Sequence, residues 1–125
     1  MSGRKHAPRQ KGSWLRRTIR ASGVEAAVAQ YRELRKGQPD RYDFGEPELN
    51  ALGYEMLFTG RVKDAVEIFK LNVEMYPQGF NAYDSLGEAY LAAGERELAI
   101  KNYKRSLELN PQNTNATAVL KRIGQ

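Results

Sequence analysis

Apolar and small residues recur at helical spacing along most of the chain. Leu49, Leu52, Gly53 and Met56 fall at i, i+3, i+4 and i+7, and Gly60 interrupts them. Val62, Ala65, Val66, Phe69 and Val73 restart the pattern on a second helix, which Pro77 ends. The same sequence of events then returns: Tyr83, Leu86, Gly87 and Tyr90 on one helix, Gly94 at a turn, Leu98, Ala99, Tyr103 and Leu107 on the next, and Pro111 as the stop. Every motif is helical, so an all-α fold is expected.

The recurrence has a fixed period. Leu52 and Leu86 are 34 residues apart, and so are Gly53 and Gly87, Gly60 and Gly94, Ala65 and Ala99, Phe69 and Tyr103, and Pro77 and Pro111. A period of this length, kept without insertion, is the signature of a repeat array of helix pairs. The small residues have a physical role in such a pair. Gly53, Gly87, Ala65 and Ala99 are expected where the two helices cross closely, because a large side chain there would separate the axes. Gly60 and Gly94 can take the left-handed conformation that ends a helix.

Tyr83-x-x-Leu86-Gly87-x-x-Tyr90, Ala99-x-x-x-Tyr103 and Pro111 resemble the tetratricopeptide repeat, and Leu49-x-x-Leu52-Gly53-x-x-Met56, Ala65-x-x-x-Phe69 and Pro77 form a second copy. The resemblance implies a right-handed α-superhelix of helix-turn-helix repeats with about seven helices. It gives repeats at residues 46–79 and 80–113. Residues 114–125 are in register as a further first helix that caps the array, with Lys121 where glycine is expected and looser packing there. Upstream, residues 13–45 read as a degenerate repeat and loop. Val24 to Lys36 carries Ala27-x-x-x-Tyr31, Gly23 is its turn, Trp14 to Ala21 forms a short first helix, and residues 37–45 break the period.

Composition narrows the chemistry. With 41% hydrophobic and 28% charged residues, the chain of 125 residues has the make-up of one globular domain. It has no cysteine and one histidine, His6, so disulfides, thiol catalysis, cysteine-built metal sites and a Ser-His-Asp triad are excluded. No secretory signal or apolar run of about 18 residues is present, and a cytoplasmic location is expected. The net charge of +5 is uneven. Residues 1–20 hold seven Arg and Lys and no acid, whereas the remainder holds 13 Lys and Arg against 15 Asp and Glu. Residues 1–12 therefore read as a basic, flexible arm. Such an arm makes nucleic acid or an anionic membrane surface the alternative partner.

Three stretches, beginning at Gly23, Glu48 and Asn81, also resemble the repeat-bearing C-terminal tails of some bacterial β-lactamase-like serine hydrolases. No Ser-x-x-Lys or Gly-x-Ser-x-Gly motif accompanies them. That resemblance implies an accessory or dimerising module and carries no catalytic residue to this chain.

The repeat resemblance implies protein binding on the concave face, which the first helix of each pair lines. In that register Asn50, Tyr54 and Phe58 of the first unit, Asn81, Asp84, Ser85 and Glu88 of the second, and Asn115 and Arg122 of the capping helix are the candidate groove residues. Tyr54 and Phe58 are the affinity candidates, with Tyr54 expected to be dispensable for the core. Asn50 and Asn81 could hold the backbone of an extended peptide. Repeat domains that grip chaperone C-terminal carboxylates use a Lys and Asn clamp. The matching positions here are Asn50, Tyr54, Ser85, Asn115 and Val119, so the clamp is missing. The expectation is a non-catalytic module for a protein or peptide ligand, with no metal and no cofactor; a homo-oligomer stays open.

Overall fold

The computed structural model describes residues 11–37 and 45–124. Among these residues seven α-helices follow one another and no strand occurs: α1 Lys11–Ser22, α2 Val24–Gly37, α3 Glu46–Phe58, α4 Val62–Met75, α5 Phe80–Ala92, α6 Arg96–Leu109 and α7 Thr114–Ile123. Helix α1 begins at Lys11, two residues inside the stretch read as an arm. The remainder of that arm, with His6, lies outside the described residues, as does most of the 37–45 loop.

Glycine closes each of the three helix pairs. Gly23, Gly60 and Gly94 have φ of 93°, 85° and 81°, the left-handed region that costs glycine nothing. Gly60 and Gly94 end their helices in the same way. The Gly60 N–H donates to the Leu57 carbonyl and the Arg61 N–H to that of Met56; Gly94 and Glu95 repeat both bonds with Leu91 and Tyr90. These paired bonds occupy carbonyls that a helix end otherwise leaves bare.

Within the pairs, α3 packs on α4 and α5 on α6, while α4 on α5 and α6 on α7 carry the stack forward. The aromatic rings explain the glycines. A Cβ on Gly87 would lie 2.8 Å from the Tyr103 ring, and one on Gly53 would run into Phe69. Ala65 and Ala99 are fully buried beside them. One apolar cluster runs from Leu15 through Tyr31, Leu49, Leu71 and Leu86, and a smaller one joins Ala99, Tyr103, Ala116 and Val119; half-buried Tyr90 touches both.

A polar tie repeats with the same period. The Asn72 amide donates to the Glu46 carbonyl (3.4 Å) and the Ser106 hydroxyl to the Phe80 carbonyl (2.8 Å), each linking a second helix to the start of its own first helix. Ser106 also accepts from Asn113 at 2.9 Å, and Asn113 caps α7 by accepting from the Ala116 N–H. Burying Ser106 and Asn113 is tolerable because both are paired, whereas of Asn72 only the amide nitrogen is, its Oδ1 having no partner.

Two expectations about packing need correction. Leu98, read as part of the apolar face of α6, is 39% exposed. It stands one period after Asp64, a polar position, at the edge of the buried face. Lys121 does not loosen a crossing; it is exposed, since no helix among the described residues packs beyond α7.

Candidate interaction groove

The first helices, α3, α5 and α7, are tied side by side by three hydrogen bonds. The Tyr54 hydroxyl donates to Glu88 Oε1 at 2.7 Å, the Ser85 hydroxyl to Asn50 Oδ1 at 2.5 Å, and the Asn115 amide to Asp84 Oδ2 at 3.0 Å. The first two join α3 to α5 and the third joins α5 to α7. The repeat period places them: Tyr54, Glu88 and Arg122 occupy one register position in three successive helices, and Asn50 and Asp84 share another.

Tyr54 sits at the centre of the face. Its half-buried ring meets Phe69 edge-on, with centroids 5.0 Å apart, and stacks on Phe58 at 5.4 Å. Burial above all pushes its phenol far above the usual range; Ser85 opposes the rise, and the Glu88 hydrogen bond and then the Glu88 and Asp84 charges add to it. Tyr54 is therefore a neutral donor. The expectation that it is free of the core does not hold, because Phe69 is a core residue. Phe58 differs: it lies at the last turn of α3 and is 75% exposed.

Asp84 is half-buried, and burial raises its carboxyl above the ordinary aspartate value, with Glu88 adding to the rise and the nearby Asn115 and Asn113 amides opposing it. Its Oδ1 is buried without a hydrogen-bond partner. Tyr103, on α6, was not foreseen here. Its phenol is pushed up by burial and then by the charges of Asp84, Glu88 and Tyr54, with Arg122 opposing, and its ring lies against Gly87 of α5. Aromatic position 103 read as core from the repeat pattern, and no sequence signal told where its hydroxyl points.

Ser85, expected among the groove-facing residues, is 2% exposed and serves the Asn50 tie instead. Asn50 is half-buried and engaged by that bond; Asn115 is exposed but engaged with Asp84. Asn81 and Arg122 are exposed on α5 and α7. Glu88 is exposed and accepts from Tyr54.

Two further features escaped the sequence. Arg16 of α1 pairs with Glu55 of α3 at 2.7 Å, extending the row of first helices by one. A cleft of about 700 Å³ lies elsewhere, bordered by Gly23 and Val24 at the start of α2, Val66 and Lys70 of α4, and Tyr90 and Leu98. Among the described residues no three His, Asp or Glu converge as metal ligands, and no helix is long and apolar enough to cross a membrane.

Comparison with known proteins agrees with this architecture. Residues 80–113 match the tetratricopeptide repeat family. No curated protein matches the chain. Among solved structures, the first such domain of human RPAP3 is 22% identical, with a TM-score of 0.65 over 96% of this chain and 91% of that one. The first repeat domain of Spaghetti (RPAP3), bound to the HSP90 peptide SRMEEVD, is also 22% identical, with a TM-score of 0.64 over 95% and 91%. MamA is 24% identical, with a TM-score of 0.59 over 86% of this chain, which spans 60% of the MamA chain. The fold is an all-α helical repeat of the tetratricopeptide kind.

Proposed function

We propose that the chain is a non-catalytic interaction module that holds a peptide or protein segment in the groove along α3, α5 and α7. The observation that carries this reading is Phe58, 75% exposed and stacked on a Tyr54 whose hydroxyl is fixed by the next helix. An exposed aromatic on a rigid support loses little freedom on binding and gains the burial of its ring. The RPAP3 neighbour bound to a peptide supports the same use of the fold.

The experiment is capture of a partner by the full chain, followed by titration with Phe58→Ala. Since Phe58 contributes little to the core, the variant should fold normally and bind the partner about tenfold more weakly. Leu98→Ala, at the outer cleft, should bind like the parent. The reverse pattern would move the interaction to the cleft.

A further inference from the structure

Among the described residues the groove sets two carboxylates, Asp84 and Glu88, against one cation, Arg122 of α7, so its charge is left negative. Asp84 and Glu88 lie four residues apart on α5, a spacing at which like charges repel. Among the described residues the ion pairs run between other groups: Arg16–Glu55, Arg32–Glu74, Arg61–Asp64 and Arg105–Glu108 are the short ones, and none engages Asp84 or Glu88. Their neutral partners are Tyr54 for Glu88 and Asn115 for Asp84, and Asp84 Oδ1 has no hydrogen-bond partner although it is buried. Neutral donors leave the carboxylate charge in place, and a cationic group laid over the pair gains the attraction that the fold leaves unused. Next to this anionic floor stands the apolar Tyr54–Phe58 stack, joined to it through the Tyr54–Glu88 bond.

On the reading that this groove is the ligand face, we propose that it selects a basic segment. A lysine or arginine of the partner lies over Asp84 and Glu88, and an apolar residue beside it in sequence packs on Phe58. Adjacent residues of an extended chain advance about 3.3–3.6 Å each, so a few residues span the distance from one helix to the next. Arginine suits the carboxylates better than lysine, because its planar fork pairs in bidentate fashion. An acidic peptide fits poorly for two reasons. The carboxylates repel it, and Asn50 and Asn115, the amides at clamp positions, are already engaged with Ser85 and Asp84.

The test uses the full chain and two labelled, C-terminally amidated peptides, Gly-Arg-Leu-Lys-Phe-Gly and its acidic twin Gly-Glu-Leu-Asp-Phe-Gly, read by fluorescence anisotropy. The basic peptide should bind at least about tenfold more tightly than the twin and weaken as salt rises. Asp84→Asn, which keeps shape and removes charge, should cost the basic peptide about tenfold and leave the twin unchanged or better bound. Phe58→Ala should weaken the basic peptide several-fold. Equal or tighter binding of the twin, no binding of the basic peptide, or an inert Asp84→Asn overturns the charge selection. If Phe58→Ala still matters in the last case, the groove reading survives that failure. If neither substitution changes binding of the basic peptide, the groove reading falls as well.

Discussion

Gly53 and Gly87 are held as glycine by the rings of Phe69 and Tyr103, which fill the space a side chain would need. Gly87→Leu should therefore destabilise the chain by about 1–3 kcal/mol or more, seen as a lowered midpoint in urea. Tyr54 and Phe58 separate two roles that their shared face conceals. Tyr54→Ala removes a half-buried ring from Phe69 and should cost about 1–3 kcal/mol, less than a fully buried aromatic. Phe58→Ala should stay within about 0.5 kcal/mol of the parent in the same denaturation series. Asp84 makes a pH prediction. Its folded-state pKa is raised, so the ionised form is disfavoured by folding, and the stability tied to its protonation is lost as pH rises through that value. Asp84→Asn should then equal or exceed the parent in Tm at pH 7, with the advantage disappearing in acid, where the parent carboxyl is neutral.

Helix pairs were legible because the period of 34 aligns motif with motif, and the matched turns at Gly60 and Gly94 show the same physics twice. No atom beyond the local chain lies within 4 Å of a Cβ placed on either glycine. The cost of Gly60→Ala or Gly94→Ala is thus one of backbone conformation alone, about 1–2 kcal/mol, and similar at the two sites by thermal denaturation. What periodicity could not give is the direction of polar groups. Ser85 is polar and on a first helix, yet it is buried, because Asn50 on the neighbouring helix offers an acceptor; unit one has Ala51 at that register position, and it is exposed. Ser106 and Asn72 likewise do not look like core residues, but each finds a carbonyl at the start of the preceding helix. Leu98 errs the other way: an apolar residue at a position whose counterpart is Asp64.

Across the whole molecule the first helices form one continuous row. Arg16–Glu55 joins α1 to α3, the Tyr54 and Ser85 bonds join α3 to α5, and the Asn115 bond joins α5 to α7. The exposed ion pair adds little stability, so the row is held mainly by the apolar clusters behind it. The face in front carries Phe58, two carboxylates and Arg122, whereas the cleft beside Leu98 is bordered by other residues, from the start of α2, α4 and the α5–α6 turn. The most direct measurement of the central claim is therefore a residue-resolved map: ¹H–¹⁵N shifts of the labelled full chain during titration with the basic peptide. The shifts should concentrate at Phe58, Asp84, Glu88, Asn115 and Arg122. Shifts concentrated at Val24, Lys70 and Leu98, with the α3–α5–α7 face unmoved, would contradict it.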